Sequence, residues 1–153
     1  MRVIGLKSGL LALCAFAGSG LAALAQTSNA DIKGNWTFES ELDIACSFNG
    51  TAYIGEAFEG GLTCELTAHQ ACPIPGSDDE ESWTVRQSCT VEREGDELVI
   101  RSTIKEFLGG NVSDTYRPDN FYLEIKNKDL MDGFLVSYAA HPATWTRSEE
   151  PTS

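Results

Sequence analysis

The stretch LTCELTAHQA, residues 62–71, decides the fold class because its apolar residues recur at every second position. Leucine, cysteine and alanine occupy the even positions from 62 to 68, and threonine, glutamate and histidine occupy the odd positions from 63 to 69. A period of two is that of a β-strand with one buried face. The stretch therefore predicts a strand that turns Cys64 toward a core.

The same alternation recurs on both sides of this strand. Further strands are predicted at residues 33–41, 47–56, 83–93, 97–107, 121–126, 131–138 and 143–147. Short turns such as Gly60-Gly61 separate them, and no window has a helical period. About eight strands with this spacing predict an all-β fold, either an antiparallel sandwich or an up-and-down barrel. Sequential hairpins favour the barrel, whose closure also removes exposed edge strands.

Gly50 lies inside the strand predicted at residues 47–56. A glycine within a strand indicates a bulge or a sharp bend, whereas Asn49-Gly50 also fits a tight hairpin turn. The segments on either side are too short to form strands of their own. We therefore expect one bent strand here.

Four cysteines follow residue 25, and an even number in an exported chain predicts two disulfides. A hairpin centred near residue 59 places Cys46 opposite Cys72, and a loop centred near residue 77 places Cys64 about opposite Cys89. Cys64 and Cys72 lie too far apart along one strand to be joined. The predicted pairs are therefore Cys46 with Cys72 and Cys64 with Cys89. These bridges should be buried and should hold three neighbouring strands, with function exercised elsewhere.

Residues 1–25 are predicted to be a secretory signal peptide. Arg2 and Lys7 precede an apolar run at residues 10–16, and Ala23-Leu24-Ala25 fits a cleavage site. Lipidation at Cys14 stays open as an alternative. We expect a flexible N-terminal tail at residues 26–32, a single barrel domain at 33–148 and a C-terminal tail at 149–153. The protein should be periplasmic or secreted.

The chain is acidic, with a net charge of −12. Such a charge repels phosphate backbones and anionic lipid, which argues against a nucleic-acid partner and against membrane insertion after signal removal. Neither the cysteine spacing nor the acidic run at residues 78–81 fits a metal site. His69 and His141 lie in no arrangement typical of catalysis. We expect no cofactor, no metal and no catalytic residue.

The two ends of the predicted barrel resemble the calycins, the group of small exported barrels that includes lipocalins and avidins. Gly34-Asn35-Trp36 opens the first strand, and Trp145-Thr146-Arg147 closes the last. The resemblance implies that Trp36 packs under Arg147 across the barrel floor, a cation–π contact. The chain is shorter than lipocalins, has no helix after the barrel and groups its disulfides in strands two to four, so lipocalin ligands do not transfer. The Gly-x-Trp start is also similar to barrels that inhibit metalloproteases, but their inhibitory N-terminal segment has no match here.

An eight-stranded barrel either fills with side chains or holds one small apolar ligand. The bulk of the predicted inward set favours a filled core: Trp36, Phe38, Phe48, Ile54, Leu66, Trp83, Val85, Ile100, Phe121, Leu123, Phe134 and Trp145. A loop at residues 108–120, ending in Tyr116, Arg117 and Asp119, is the expected lid of any cavity. The candidate ligand-binding residues are Trp36, Phe38, Trp83, Tyr116, Arg117, Phe121 and Phe134.

These observations predict an exported, non-enzymatic barrel that binds a small hydrophobic molecule or an envelope partner. An inhibitor of a secreted protease, or a structural envelope protein, is the alternative, and a small enzyme ranks third. A cavity separates the first two hypotheses. Ligand binding predicts an apolar pocket of ~300 Å³ or more, whereas an inhibitor needs only a rigid surface loop.

Overall fold

The computed structural model describes residues 32–42, 45–110, 112 and 114–149. The predicted signal peptide, Cys14, residues 26–31 of the predicted N-terminal tail and residues 150–153 of the C-terminal tail lie outside the described residues. Within the described part, no helix is long and apolar enough to cross a membrane.

Eight antiparallel strands follow one another around a closed barrel, which confirms the predicted fold. They are β1 (Gly34–Glu41), β2 (Ser47–Glu56), β3 (Leu62–Pro73), β4 (Glu80–Glu94), β5 (Glu97–Gly110), β6 (Asn120–Asn127), β7 (Leu130–Val136) and β8 (Ala140–Ser148). Pairing of β1 with β8 closes the barrel, from Asn35 opposite Ser148 to Ser40 opposite Ala143.

Both predicted disulfides are present. Cys64 lies directly opposite Cys89 in the β3–β4 ladder, and Cys46 is bonded to Cys72 one position beyond the last β2–β3 pair. Cys46, Cys64 and Cys89 are buried, as predicted, while Cys72 is partly exposed. Two disulfides in a small barrel indicate a protein that resides outside the cytoplasm.

Gly50 forms neither a bulge nor a hairpin turn, which corrects the expected bend. The β2 register runs unbroken through it, with Gly50 opposite Phe38 on one side and Ala68 on the other. A Cβ at this position would lie 2.2 Å from the Thr67 carbonyl oxygen and 2.3 Å from Cζ of Phe38. Glycine is required because the Phe38 ring crosses this part of the strand.

The β4–β5 hairpin is longer than predicted. β5 continues to Gly110, although it pairs with β6 only from Glu97 to Ile100. Register shifts against β4 occur twice beyond that point, and Gly110 sits where a Cβ would lie 2.0 Å from the Ser82 carbonyl oxygen. The predicted lid therefore begins after Gly110 rather than at Leu108, because glycine here permits close backbone approach instead of ending the strand.

Four aromatic rings fill the middle of the barrel and form what we call the aromatic cluster: Phe38, Phe48, Phe121 and Trp145. Phe38 lies at the centre, with its ring centroid 5.8 Å from Phe48, 5.2 Å from Phe121 and 5.1 Å from Trp145. Such spacings are those of favourable aromatic pairs. The middle of the barrel is thus a filled core, as the bulk of the predicted inward side chains indicates.

One end of the barrel, here named the closed end, is sealed by Trp36. Its Nε1 donates a 3.0 Å hydrogen bond to the Ile32 carbonyl oxygen, and the Arg147 guanidinium lies 4.4 Å from its ring centroid. Arg147 also donates to the carbonyl oxygens of Lys33 and Lys128. Ile32 is itself buried, so the core includes the last residue of the predicted tail.

Replacing Gly50 by alanine should destabilise the barrel by about 1 to 3 kcal/mol, since the new methyl group overpacks against Phe38 and the Thr67 backbone. Urea unfolding followed by tryptophan fluorescence measures the change. Gly109→Ala is the matched control, because a Cβ there meets no atom within 4 Å. Equal unfolding midpoints for the two variants would contradict the explanation given for Gly50.

Candidate ligand-binding site

A partly enclosed cavity of about 390 Å³ lies at the end of the barrel opposite Trp36. We call it the mouth cavity. It is bordered by the last residues of β3 and β7 and the first residues of β2, β4 and β8, which meet at one rim because neighbouring strands run antiparallel. Its apolar lining is Leu42, Phe48, Trp83, Leu135, Tyr138 and Ala139, and its polar lining includes Gln70, Tyr116, Asp119 and His141.

The floor of the mouth cavity is the aromatic cluster. Phe48 belongs to both, since it packs on Phe38 inside the barrel and also lines the cavity. Phe48 is 3% exposed, and its inward direction follows from the alternation of β2. The cavity therefore rests on rigid packed rings instead of on a loop.

Asp119 is the only buried carboxylate among the described residues, at 2% exposure. It lies just before β6. Its Oδ2 accepts a 2.5 Å hydrogen bond from Nε2 of Gln87 and another of 2.5 Å from the Tyr116 hydroxyl. The Asp119 backbone N–H donates to Oε1 of Gln87 at 3.0 Å. This network ties the β5–β6 connection to the inner face of β4.

Burial governs the ionisation of this network. Loss of hydration raises the pKa of Asp119 to about 6, although the hydrogen bonds from Tyr116 and Gln87 act in the opposite direction. The pKa of Tyr116 is raised, first by burial and then by the negative charge and hydrogen bond of Asp119. Tyr116 therefore remains a protonated donor at neutral pH.

Two further side chains shape the rim. The Arg117 guanidinium lies 5.1 Å from the Tyr138 ring centroid, a cation–π contact that joins the β5–β6 connection to the turn after β7. Phe107 of β5 packs edge-on against Tyr116, with their centroids 6.0 Å apart. Residues 114–119 are thus held beside the cavity from both sides.

The predicted ligand-binding residues lie in three places: at the mouth cavity, in the core and, for one of them, on the outer wall. Trp83 and Tyr116 line the mouth cavity, and Arg117 stands at its rim. Trp36, Phe38 and Phe121 are buried in the core and do not line the cavity.

Phe134 corrects the predicted inward set, since it is 53% exposed on the outer wall. The inward positions of β7 are Met131 and Leu135, so the alternation places Phe134 outside. Trp83 is also less enclosed than predicted, being half-buried at the rim rather than within the core.

Gln87 and Tyr138 were not predicted as site residues. The sequence does indicate Gln87, because it is the polar residue at an inward position of β4, between the apolar residues Val85 and Cys89. No sequence pattern indicates Tyr138, because it lies in the turn after β7, where the strand alternation no longer applies. Asp119 was predicted only as part of the lid, and its burial depends on contacts with a strand 32 positions away.

A larger volume of about 740 Å³ lies beside the connection between β1 and β2 and shares Leu42 and Phe48 with the mouth cavity. Outward-facing polar side chains such as Glu39, Glu41, Ser47 and Asn49 border it. It resembles an open surface groove, so we take the mouth cavity as the candidate site. Within the described residues, no group of three or more His, Cys, Asp or Glu side chains could hold a metal ion.

Comparison of the chain with protein-family models, with curated proteins and with solved structures finds no match. The functional argument therefore rests on the mouth cavity and its residues.

The raised pKa of Asp119 has a consequence for stability. The folded state holds a proton on Asp119 up to about pH 6, whereas the unfolded chain releases it near pH 4, so this group makes unfolding easier as the pH rises between these values. Asp119→Asn keeps an acceptor for Tyr116 and Gln87 but removes the charge. It should raise the free energy of unfolding at pH 7.5 by about 2 to 3 kcal/mol, and by almost nothing at pH 4.

Denaturant unfolding at a series of pH values checks this expectation. Asp96→Asn, at the exposed β4–β5 turn, is the matched control for loss of one negative charge. The contrary result is a difference in stability between Asp119→Asn and the parent protein that is the same at every pH. It would show that burial does not disfavour the charged form of the carboxyl.

Proposed function

We propose that the chain is an exported, non-enzymatic, calycin-like barrel that binds a small hydrophobic molecule in the mouth cavity. The observation that carries this proposal is the cavity itself, about 390 Å³ with mainly apolar walls. That volume falls within the range of roughly 300 to 1,000 Å³ typical of small-molecule sites. Pre-formed walls also reduce the entropy lost on binding.

Export and calycin-like character have separate support. The two disulfides fit a periplasmic or secreted location, reached after removal of the N-terminal signal peptide. The stacking of Arg147 on Trp36 is the contact that the calycin resemblance implies.

Binding is favoured over catalysis by the chemistry of the lining. Asp119 and Tyr116 are hydrogen-bonded to each other, and the raised pKa of Tyr116 keeps its phenol from acting as a base near neutral pH. The Asp119 carboxylate accepts from the Tyr116 phenol and the Gln87 amide, neither of which is a serine, threonine or cysteine nucleophile. The polar groups therefore suit recognition rather than covalent chemistry.

Titration with N-phenyl-1-naphthylamine, an uncharged apolar dye, tests the proposal. We expect saturable binding of one dye per chain, with energy transfer from Trp83, which lines the cavity. Ala139→Trp should fill the cavity and weaken binding at least tenfold, or about 1.4 kcal/mol. Ala57→Trp, in a hairpin turn at the closed end, is the matched control. Equal affinity in both variants, or no saturable binding at all, would contradict binding in the mouth cavity.

A second candidate, an inhibitor or a structural envelope protein, is favoured by a stripe on the outer wall. Tyr122 of β6 lies opposite Phe134 of β7, which in turn lies opposite Pro142 of β8, and all three are exposed. Aligned exposed aromatics are typical of protein interfaces. Native mass spectrometry of the purified protein separates the candidates: a bound small molecule supports the first, and a bound protease or envelope protein, lost in Phe134→Ser, supports the second.

A further inference from the structure

The mouth cavity contains a negative charge that the protein itself does not neutralise. Both hydrogen bonds to the Asp119 carboxylate reach Oδ2, and both come from neutral donors. Oδ1 has no hydrogen-bond partner among the described residues, and it is not one of the fully enclosed polar atoms. A lone buried carboxylate is unfavourable unless an opposite charge joins it.

The nearest basic residue in the sequence does not supply that charge. Arg117, two positions away, lies over the Tyr138 ring at the rim. No lysine or arginine in the described part of the chain forms an ion pair with Asp119. The arrangement leaves Oδ1 open to a cation that enters from outside.

The remaining walls also suit a cation with an apolar body. Four aromatic side chains line the cavity around Asp119: Phe48, Trp83, Tyr116 and Tyr138. Aromatic faces attract ammonium groups through the ring quadrupole, most strongly where water is excluded. Leu42 and Leu135 provide purely aliphatic surface beside them.

The charge of the whole chain acts in the same direction. A net charge of −12 raises the local concentration of cations and repels anions. A hydrophobic carboxylic acid would meet both this field and the Asp119 carboxylate, so anionic ligands are disfavoured twice.

We propose that the ligand of the mouth cavity is a small, mainly apolar molecule that carries a protonated amine, with the ammonium group on Oδ1 of Asp119 and the apolar body against Trp83 and Leu135. This inference rests on the proposed function and names the chemical class of its ligand. Asp119 is the specificity-determining residue, and the aromatic walls supply most of the contact area.

Competition against N-phenyl-1-naphthylamine at pH 7.5 tests the inference with three matched pairs of probes. Each amine is compared with the alcohol of the same carbon skeleton: 2-phenylethylamine with 2-phenylethanol, tryptamine with tryptophol, and octylamine with octanol. In the parent protein the better-fitting amines should displace the dye at least tenfold more effectively than their alcohols. Asp119→Asn should abolish that preference, because the amide carries no charge to pair with the ammonium group. Asp96→Asn should keep the preference.

The pH dependence gives a second readout. Amine binding should weaken as the pH falls below about 6, because protonation of Asp119 removes the paired charge. Tyr116, on the same connection, Tyr138, from the turn after β7, and His141, from β8, are the other titratable groups lining the cavity. The fraction of the pH effect that disappears in Asp119→Asn is the part that belongs to the carboxylate.

The outcomes distinguish this inference from the proposed function. If the dye binds and every amine equals its alcohol, or if Asp119→Asn retains the preference, the inference is wrong and the proposed function stands. If neither the dye nor any of the six probes binds, both are wrong. Unfolding curves of each variant show whether the protein is folded, and Asp119→Asn is expected to be the more stable form at this pH.

Discussion

The barrel depends on the pairing of its first strand with its last. β1 and β8 are joined from Asn35 opposite Ser148 to Ser40 opposite Ala143, and this ladder leaves no strand of the cylinder without two neighbours. Closure also explains the alternation in the sequence, because the apolar residues of every strand then face one shared interior. Eight strands enclose a space that side chains can fill. The aromatic cluster does fill its middle, so any ligand must bind at an end.

The two ends of the barrel differ in how a charged side chain near the core is stabilised. At the closed end the Arg147 charge is shared among the Trp36 ring, backbone carbonyl oxygens and Asp129, 3.4 Å away. At the opposite end, beside the mouth cavity, Asp119 is buried with neutral donors alone, which makes its charged form unfavourable. Perturbed titratable groups of this kind concentrate at functional sites. This contrast between a neutralised Arg147 and an unneutralised Asp119 is the physical reason for placing function at the mouth cavity.

Local patterns predicted most of the fold, and contacts between distant residues explain what they missed. Alternation and turn residues located eight strands, and hairpin centres predicted both disulfides, because each depends only on neighbouring strands. Phe134 was placed wrongly because its apolar run has no clear phase. Gly50 was interpreted as a bend because the reason for it, the Phe38 ring, belongs to another strand. The Asp119–Gln87 contact joins residues 32 positions apart, which no local pattern signals.

The disulfide-linked strands contribute more to the candidate site than the sequence suggested. Gln70 lines the mouth cavity two positions before Cys72, and Trp83 lies opposite it on β4, six positions before Cys89. The Cys46–Cys72 bond therefore fixes the start of β2 to the end of β3 at the rim itself, where Phe48 forms the floor. Strand ends fray unless they are held. A cross-link at this rim keeps the aromatic walls in place before a ligand arrives, so the disulfides act on the cavity as well as on the fold.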